Sequence, residues 1–525
     1  MTTTGETLAA LIESHGIDTI FGIPGVHTVE LYRALAASGL RHVTPRHEQG
    51  AGLMAYGYWL ASGRPAACAL ITGPGLTNAA TAIAQAYSDS VAMLVVAGSN
   101  KTAELGLGGG RLHELPNQIA LEREIAGEAH LLLDPNNLPE IMARAFAMFQ
   151  AARPRPAVIE IPRDIFAQEC TVSPQPWSTP VPPSPDPTAI ARATEMLTQA
   201  ERPVLLFGGG ARFVADGSPT RLAERLDAPV IMSIAGKGLV PSSHPLSLGA
   251  PLTQAPARAF LAEADLVVAI GSELSETDFW PSKDEVIRLG DRLIRIDIEA
   301  AQLARSRRPD LAIVADAGAA IAALLNAVPQ ASRKGAERAD AARRAINAGL
   351  DPQEAPRREA LAAIRRAAPV DCFVSVDSTQ IAYTGDYAFP CELPGCWHFP
   401  SGYGTLGTGL PTAVGAKLAR PERPVMAIAG DGGLLFTLEE LIVAVEHRLS
   451  IPIVLWNNRG YREIAEAMDG AGVQRVGVDF MIPDFQKLAE GYGATATVAP
   501  DLAGLETEIV EAFERPGPTL IEVSV

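Results

Sequence analysis

Residues 429–461, "AGDGGLLFTLEELIVAVEHRLSIPIVLWNNRGY", contain two short apolar strands, and polar residues follow each strand directly. The apolar residues between the strands recur at helical spacing: Leu438, Leu441, Ile442 and Val445. This spacing predicts a helix. A right-handed crossover from strand to helix to parallel strand brings both strand ends to the same edge of a sheet. Asp431, after the first strand, and Asn458, after the second, are therefore expected to converge across one crevice.

The oxygen atoms of this crevice suit a magnesium ion. One carboxylate and one amide oxygen are too few to enclose Ca²⁺, whereas Mg²⁺ takes its other ligands from phosphates and water. Gly430, Gly432 and Gly433 carry no Cβ that would hold a diphosphate away from the backbone N–H groups and the helix N-terminus. The alternative is a glycine turn with Asp431 as a helix cap, and the paired Asn residues weigh against it. The segment predicts a cradle for Mg²⁺ and a diphosphate.

An apolar strand that ends in a glycine turn before a helix recurs along the chain. Examples are "TIFGIPGVHTVELYRAL" (19–35), "ACALITGPGLTNAATAIAQAY" (67–87), "PVLLFGGG" (203–210) and "DLVVAIGS" (265–272). Fully apolar strands that alternate with helices predict parallel sheets covered on both faces. We therefore expect an α/β protein with three doubly wound parallel-sheet domains, whose ligands bind beyond the carboxyl ends of the strands.

Two stretches interrupt this pattern and are predicted to be linkers. The first, "VSPQPWSTPVPPSPDPT" (172–188), is rich in proline, which fixes φ and removes backbone donors. The second, residues 326–360, is charged and alanine-rich and is expected to be partly helical. The predicted domains are residues 1–171, 189–328 and 360–525.

The composition is that of an acidic globular protein. The 525 residues carry a net charge of −17, which argues against nucleic acid as a partner because phosphate binding needs clustered basic residues. There is no long apolar run and no basic N-terminal region followed by an apolar core, so we expect a cytoplasmic protein without an export signal or membrane span. The five cysteines show no metal-ligand spacing and are expected to be idle thiols in a reducing compartment.

The "GDG" of residues 430–432, separated by 24 residues from "NN" at 457–458, resembles the signature of thiamine diphosphate enzymes such as acetolactate synthase and pyruvate oxidase. The resemblance covers nearly the whole chain. It implies a pyrimidine-binding domain, a central Rossmann-like domain and a diphosphate-binding domain, in that order. It also implies that Mg²⁺ is held by Asp431, Asn458 and the carbonyl group of Gly460.

Two further segments are similar to cofactor-binding segments of this family. In "SGYGTLGTGLPTAVGA" (401–416), the resemblance implies that the Gly404 carbonyl accepts a hydrogen bond from the aminopyrimidine and that Leu406 holds the cofactor bent. In "VSVDSTQIAY", Ser378 and Thr379 match residues that contact the diphosphate. The alternatives are an ordinary core position for Leu406 and a plain strand-end turn for Ser378 and Thr379.

The segment "RHEQGAG" (46–52) matches the surroundings of the glutamate that meets the cofactor's pyrimidine ring in this family, and the resemblance implies that Glu48 reaches N1′ of that ring. A carboxyl at roughly 2.6–3.2 Å can exchange a proton with that ring, and burial makes the exchange workable near neutral pH by raising the carboxyl pKa. The glycines and alanines after Glu48 would let the helix pack closely. The alternative is a helix-start acid stabilised by the helix dipole, worth ~0.3–1 kcal/mol. In relatives the two domains that meet belong to different subunits, which implies a homodimer or homotetramer.

Other motifs bear on the reaction. Paired histidines typical of pyruvate decarboxylases are absent, and His113 in "GGGRLHELPNQ" (108–118) is the candidate catalytic histidine, with a surface-loop histidine as the alternative. The central domain lacks the Met-His-Gly and Arg-Phe-Asp-Asp elements that accompany FAD in acetolactate synthase. Its "GGGAR" (208–212) is not a GxGxxG fingerprint, so neither FAD nor a nicotinamide is expected.

Together, "FGIPGVHTVELYRAL", "RHEQGAG", "GRLHE" and "GSELSETDFW" resemble the 5-guanidino-2-oxopentanoate decarboxylases. This implies non-oxidative decarboxylation of a 2-oxo acid to 4-guanidinobutanal, with carboxylates facing a guanidinium. Glu463, Glu466 and Asp469 are candidates for those carboxylates, and a solvated helix face is the alternative. Two other functions stay open: a carboligase that forms 2-acetolactate from pyruvate and, more remotely, a non-catalytic scaffold, which the intact Glu48, Asp431 and Asn458 disfavour.

Overall fold

The structure, a computed structural model, describes residues 2–281 and 285–525. The described chain forms two compact units. The first comprises the chain up to Val181, Gly402–Val498 and Ala512–Val525, and the second comprises Pro182–Ser401 and Ala499–Glu511. Within these described ranges, no helix combines the length and the apolar character needed to cross a membrane.

The first unit begins with a parallel sheet and its helices. The strands of this part of the chain are β1 (Thr2–Thr3), β2 (Thr19–Gly22), β3 (Arg41–Val43), β4 (Ala67–Leu70), β5 (Met93–Ser99), β6 (Glu128–Leu131), β7 (Pro156–Pro162) and β8 (Glu169–Cys170). β1 and β8 lie outside the parallel sheet and form a separate antiparallel pair. The helices are α1 (Thr4–Ser14), α2 (Val29–Ala37), α3 (Glu48–Ser62), α4 (Pro74–Ser88), α5 (Gln118–Ile125), α6 (Leu138–Ala151) and α7 (Arg163–Phe166).

The strand order of this sheet is β3-β2-β4-β5-β7-β6, and all neighbours are parallel. β5 and β7 are buried along their whole length, as expected for central strands covered on both faces. The chain adds β3 on one side of β2 and then β4 on the other, so the order reverses there. Loops that leave the carboxyl ends of β2, β4 and β5 therefore surround a topological switch point, where ligands bind in such sheets.

The second unit contains the central sheet. Its strands are β9 (Pro203–Phe207), β10 (Val230–Met232), β11 (Leu266–Ile270), β12 (Leu293–Asp297), β13 (Leu311–Val314), β14 (Phe373–Val376) and β15 (Trp397–His398). Its helices are α8 (Pro187–Gln199), α9 (Ser218–Leu226), α10 (Ala255–Ala262), α11 (Glu276–Phe279), α12 (Ala300–Leu303), α13 (Ala317–Ala327), α14 (Gly335–Ala348), α15 (Ala355–Ala367) and α16 (Gln380–Ala388). The central sheet has the parallel order β10-β9-β11-β12-β13, and β14 pairs with β15 in parallel.

The two predicted linkers differ in the structure. The proline-rich segment has neither helix nor strand between β8 and the start of α8, as its prolines predict. The charged segment 326–360 is not a linker in its middle part, because α14 packs against α10. Ala342 and Ile346 of α14 are buried in the same core cluster as Leu261. Their helical spacing was obscured in the sequence by the charged residues on the outer face of α14.

The remaining chain forms the third parallel sheet. The strands are β16 (Val425–Gly430), β17 (Pro452–Asn457), β18 (Thr495–Val498) and β19 (Thr519–Ser524), and the helices are α17 (Gly409–Ala419), α18 (Asp431–Leu434), α19 (Leu441–Glu446), α20 (Arg462–Gly470), α21 (Phe485–Tyr492) and α22 (Leu502–Glu514). In the first unit these strands lie in the parallel order β16-β17-β19-β18. Each of the three predicted domain ranges contains one parallel sheet, and the predicted α/β fold class is confirmed.

Within the first unit, α3 and α17 pack at very short distance. A Cβ built on Gly57 of α3 would lie 2.0 Å from the carbonyl oxygen of Thr412, and one on Gly415 of α17 would lie 1.9 Å from that of Met54. Real Cβ atoms do not approach a carbonyl oxygen so closely, so only glycine permits the two backbones to touch here. The small residues after Glu48 therefore serve helix packing.

The helix predicted between β16 and β17 is shorter and interrupted. Short α18 is followed by a 3₁₀ turn (Leu438–Glu440) before the six-residue α19. The break lies at Thr437, whose φ of −145° is not helical and whose hydroxyl donates to the Gly407 carbonyl at 2.7 Å. This tertiary hydrogen bond overrides the local helical pattern, and α19 buries Leu441 and Ala444 rather than Ile442.

Candidate active site

The predicted crevice at the ends of β16 and β17 is present. The two strands pair with Gly430 opposite Trp456, so Asp431, directly after β16, lies beside Asn457, the last residue of β17. Asp431 is 2% exposed, and its Oδ2 accepts the backbone N–H of Gly460 at 2.8 Å. Burial raises the pKa of Asp431, and the backbone N–H groups around it, Gly460 first, oppose that rise. The loop after β17 is thus tied to the carboxylate at the end of β16.

The two Asn residues at the end of β17 have different surroundings. Asn457 donates through Nδ2 to Glu522 at 2.7 Å, and its Oδ1 accepts the backbone N–H of Arg459 at 3.2 Å. Asn458 is half-buried, and its carbonyl accepts Nε of Arg462 at 2.9 Å. Asn457 therefore secures the strand end, and the role of Asn458 as a metal ligand stays a prediction.

Glycine is required in this loop for packing. A Cβ on Gly432 would lie 2.5 Å from the Tyr461 ring, and one on Gly460, whose φ is 135°, would lie 2.5 Å from the Val478 carbonyl oxygen. Gly430 and Gly433 are buried on either side of Asp431–Gly432. The backbone around Asp431 is consequently compact. Its glycines carry no side chain that would keep a diphosphate away from the backbone N–H groups.

The donor set fits Mg²⁺ with a diphosphate. Among residues 2–281 and 285–525, no three His, Cys, Asp or Glu side chains converge to hold a metal ion. A metal at Asp431 would therefore need amide and carbonyl oxygens of the chain together with phosphate and water oxygens, which is the mixed oxygen set that Mg²⁺ accepts.

The segment predicted to grip the pyrimidine has an unusual backbone. Gly404 and Gly407 have φ of 70° and 82°, a region that disfavours other residues. Thr405 donates its backbone N–H to Gln85 Oε1 of α4 at 3.1 Å, which fixes the turn. Leu406 between them is half-buried rather than a core residue, so the ordinary core-leucine alternative is not supported.

Ser378 and Thr379 follow β14 in the second unit. The backbone N–H of Ser378 bonds to the Asp377 carboxylate at 2.8 Å, and Thr379 occupies the N-cap position of α16 without a side-chain capping bond. This geometry is that of a strand-end turn. Contact of these two residues with a diphosphate stays a prediction.

Glu48 is the first residue of α3 and is only 8% exposed. Its Oε2 accepts a hydrogen bond from Nδ2 of Asn78 on α4 at 2.9 Å. The helix cap is supplied instead by His47, whose Nδ1 accepts the backbone N–H of Gln49 at 3.2 Å. Glu48 is therefore a buried, oriented carboxylate and not a solvated helix-start acid.

A second buried carboxylate, Glu440, supports the start of α3. It is fully buried, and its Oε1 accepts the backbone N–H groups of Arg46 and His47 at 3.1 and 2.9 Å. Burial raises the pKa of Glu440 to about 7, with these N–H groups acting in the opposite direction. Glu440 was not predicted from the sequence, because it lies in a different predicted domain from Glu48 and no local pattern marks the contact.

Two histidines that are distant in the sequence come together near the ends of β2 and β4. The rings of His27 and His113 lie edge to face with centroids 5.4 Å apart. His27 is 3% exposed, and burial is the main cause that lowers its pKa. His113 is half-buried with φ of 62°, and a Cβ on Gly73 would lie 2.3 Å from its carbonyl oxygen. His113 is therefore packed into the switch-point loops, whereas a surface-loop histidine would be exposed.

The proposed guanidinium carboxylates on α20 do not form a buried site. Glu463, Glu466 and Asp469 are exposed. Asp469 pairs with Arg475 at 3.0 Å, which already satisfies its charge. The solvated-face alternative describes this helix better.

Three features together define a thiamine diphosphate-type enzyme. They are the parallel sheets of the three domains, the buried Glu48 at the start of α3, and the crevice at Asp431, Asn458 and Gly460. The chain belongs to the thiamine pyrophosphate enzyme family. The family's N-terminal TPP binding domain matches residues 2–121, its central domain matches 190–324, and its C-terminal TPP binding domain matches 377–523. These matches support thiamine diphosphate as the cofactor.

Three relatives match over nearly the full length of this chain. The chain is 45% identical to the probable 2-ketoarginine decarboxylase AruI of Pseudomonas aeruginosa, over 99% of this chain and 94% of the relative. It is 31% identical to the acetolactate synthase isozyme 1 large subunit of Escherichia coli, over 100% of this chain and 94% of the relative. It is also 31% identical to the acetolactate synthase large subunit of Parasynechococcus marenigrum, over 98% of this chain and 87% of the relative.

Proposed function

We propose that this protein is a thiamine diphosphate- and Mg²⁺-dependent lyase that removes CO₂ from 5-guanidino-2-oxopentanoate and leaves 4-guanidinobutanal. The observation that carries the catalytic assignment is the buried Glu48 carboxylate, held by Asn78 while other groups cap its helix. The choice of substrate rests on the 45% identity with a probable 2-ketoarginine decarboxylase over 99% of the chain.

We assign the metal ion and each part of the cofactor to particular residues of the chain. When bound, thiamine diphosphate supplies the carbon nucleophile and the electron sink for decarboxylation. Asp431, the Asn458 amide and the Gly460 carbonyl would hold Mg²⁺. The residues assigned to the rest of the cofactor are Gly404 and Leu406 at the pyrimidine and Ser378, Thr379, Gly430, Gly432 and Gly433 at the diphosphate.

Glu48 would exchange a proton with the pyrimidine ring. Asn78 occupies its Oε2, so Oε1 is the oxygen placed to give and take that proton. Proton transfer by a positioned carboxyl contributes typically ~10²–10⁴-fold to an enzymatic rate. Glu440 keeps the start of α3, and with it Glu48, in one position.

His113 would serve the second half of the reaction. Conversion of a 2-oxo acid to an aldehyde releases one CO₂ and takes up one proton. Nδ1 of His113 is buried and makes no hydrogen bond to any described residue, and burial lowers the pKa of the neighbouring His27, which favours its neutral form. An imidazole in this setting can donate a hydrogen bond or a proton to a substrate.

A carboligase is the second candidate function. The observation in its favour is the 31% identity, over the whole chain, with the acetolactate synthase isozyme 1 large subunit of Escherichia coli. Such an enzyme would join two pyruvate-derived units into 2-acetolactate after loss of one CO₂. The same Glu48 and Asp431 would serve both reactions.

The working protein is proposed to be a cytoplasmic homodimer or homotetramer that acts on a small 2-oxo acid, without nucleic acid or membrane as partner. Family relatives place each active site between two subunits. Light scattering of the purified protein measures the assembly, and a monomer with full activity would contradict it.

One experiment separates the two reactions. Purified protein with thiamine diphosphate and Mg²⁺ is incubated with 5-guanidino-2-oxopentanoate and, separately, with pyruvate. We expect 4-guanidinobutanal from the first and little product from the second. Formation of 2-acetolactate from pyruvate without aldehyde from the guanidino acid would overturn the decarboxylase assignment.

A further inference from the structure

A cavity of about 480 Å³ lies at the ends of β17 and β19. It is lined by Asn457, the last residue of β17, by Glu522 of β19 and by part of the segment 480–485. The cofactor crevice lies instead between β16 and β17, and β17 separates β16 from β19 in the sheet. Small-molecule sites are typically cavities of ~300–1,000 Å³ with an apolar wall and a few polar groups, so this cavity is large enough for a ligand of its own.

Two opposite charges line this cavity without pairing with each other. Within residues 2–281 and 285–525, Arg459 forms no ion pair and its guanidinium donates no hydrogen bond. In the same ranges Glu522 accepts hydrogen bonds from two neutral amides, Nδ2 of Asn457 at 2.7 Å and Nε2 of Gln486 at 3.0 Å, and has no cation beside it. The cavity therefore offers one cation and one anion to a ligand.

Asn457 orders both charged residues. It is 7% exposed, its Oδ1 accepts the backbone N–H of Arg459 at 3.2 Å, and its Nδ2 donates to Glu522. Arg459 has a φ of 61°, a conformation that residues other than glycine rarely adopt. Such a conformation persists where the surroundings enforce it, and it is common at ligand sites. One buried amide thus fixes the backbone of Arg459 and the carboxylate of Glu522 at the same cavity.

The rest of the cavity has a mainly apolar wall, formed by Phe480, Ile482, Pro483 and Phe485. Phe485 is 1% exposed and the other three are half-buried. Asp484 also lines the cavity, but its Oδ2 pairs with Nζ of Lys487 at 2.7 Å and its Oδ1 accepts the Lys487 N–H. Its charge is therefore already compensated, and Glu522 is the carboxylate that remains for a ligand.

We propose that this cavity binds a free α-amino acid with an apolar side chain. Such a molecule carries a carboxylate and an ammonium group on one carbon. The carboxylate suits the planar guanidinium of Arg459, and the ammonium suits the carboxylate of Glu522. The side chain would lie against the apolar wall. A ligand with a single charge would leave the other charge of the cavity unmatched. The site is separate from the cofactor crevice and does not depend on which reaction the protein catalyses.

The cavity is connected to the loop that closes on Asp431. Arg459 directly precedes Gly460, whose backbone N–H donates to Asp431 at 2.8 Å. On the apolar wall, the ring of Phe480 packs against that of Tyr461 with centroids 4.8 Å apart. A ligand held by Arg459 and Phe480 would restrain this loop in the arrangement that reaches Asp431. Because coupling between two binding sites is reciprocal, the amino acid should raise the affinity for thiamine diphosphate and Mg²⁺.

The first test is calorimetry on the wild-type holoenzyme with L-leucine, L-phenylalanine and two analogues of leucine. 4-Methylpentanoate lacks the ammonium group, and 3-methylbutylamine lacks the carboxylate. We expect L-leucine to bind about 10-fold or more tightly than either analogue, because each analogue loses a charge-assisted hydrogen bond. An analogue that binds as tightly as L-leucine would overturn the two-charge site, and so would the absence of heat with both amino acids at millimolar concentration. The readout is independent of catalysis, so it stands whether or not the proposed reaction is correct.

The second test locates the binding. Arg459→Gln and Glu522→Gln each remove one charge of the cavity, and Arg475→Gln is the control because Arg475 is exposed and pairs with Asp469 away from the cavity. We expect the Kd for L-leucine to rise about 10-fold or more in the first two variants and to stay unchanged in the control. Unchanged binding in both cavity variants would overturn the site. Saturating L-leucine should tighten thiamine diphosphate binding to wild type by ~5-fold or more, and an unchanged affinity would overturn the coupling. Thermal unfolding checks that the variants fold.

Discussion

Glu440 accepts the backbone N–H group of His47 at 2.9 Å, immediately before Glu48 in the chain. The same carboxylate accepts the N–H of Arg46, so it holds the two residues that precede α3. A Cβ on Gly50 would lie 2.0 Å from Oε1 of Glu440. The small residues that follow Glu48 therefore allow a carboxylate of the third sheet's domain to dock against the start of the helix and fix the catalytic acid.

Gly50→Ala should disrupt this docking. The new Cβ would lie 2.0 Å from Oε1 of the fully buried Glu440, so the carboxylate or the start of α3 must shift. Overpacking of this kind costs typically ~1–3 kcal/mol, and displacement of Glu48 should also lower kcat. Chemical unfolding and steady-state kinetics measure the two effects. Gly470→Ala is the control, because a Cβ there meets no atom within 4 Å. Wild-type stability and turnover in Gly50→Ala would show that Glu440 does not position α3.

Glu48→Gln should separate binding from catalysis. The amide keeps an oxygen that Asn78 can bond, so the fold and cofactor affinity should be retained. It has no proton to exchange, and we expect kcat to fall by ~10²–10⁴-fold. Calorimetry with thiamine diphosphate and Mg²⁺ supplies the binding control beside the rate measurement. Near-normal turnover would show that Glu48 has a structural role and does not take part in catalysis.

The crevice at Asp431 and the parallel sheets were predictable because their signals are local. Asp431 and Asn458 stand directly after apolar strands, and parallel neighbours bring such positions to one edge. The helix between them was predicted too long, because the break at Thr437 depends on a hydrogen bond to Gly407, which no helical pattern reveals.

The residues that hold Glu48 in position could not be predicted from the sequence, for the same reason. Glu440 reads as one of two acids before an apolar helix, and nothing near it points to His47. His27 and His113 meet only because the loops after β2 and β5 converge at the switch point. Contacts between distant segments are set by tertiary packing, so motifs identified Glu48 but not the residues that hold it.

Glu440→Gln should change how stability depends on pH. The folded pKa of Glu440, about 7, lies above its ordinary value of 4.5. A carboxyl with a raised folded pKa contributes stability that is fully present below the unfolded pKa and is lost as pH rises through the folded pKa. Wild type should therefore lose stability relative to Glu440→Gln between about pH 4.5 and 7. Urea unfolding of both proteins at pH 5 and pH 7 measures the difference. Parallel pH dependences would mean that Glu440 is already ionised throughout this range.

Asp431→Asn should abolish the response of the protein to Mg²⁺ and thiamine diphosphate. The apo protein should keep its fold, because the amide oxygen can still accept the Gly460 N–H that Asp431 Oδ2 accepts at 2.8 Å. The anionic metal ligand is lost, however, and a neutral amide binds Mg²⁺ far more weakly than a carboxylate. A ligand that binds only the folded state raises Tm by mass action, so wild type should show a rise with cofactor and Mg²⁺ together.

The comparison that decides this prediction is the thermal shift in three proteins: wild type, Asp431→Asn and Asp484→Asn. Asp484 caps α21 by accepting the Lys487 N–H at 3.1 Å, so its replacement changes a carboxylate of the same domain that caps a helix, whereas Asp431 accepts the Gly460 N–H. Asn caps a helix about as well as Asp does, so we expect Asp484→Asn to keep a near-normal baseline stability and the full shift. Asp431→Asn should also keep a near-normal baseline but show no shift. A full shift in Asp431→Asn would show that the metal does not bind at the end of β16, where Asp431 is the carboxylate that accepts the Gly460 N–H.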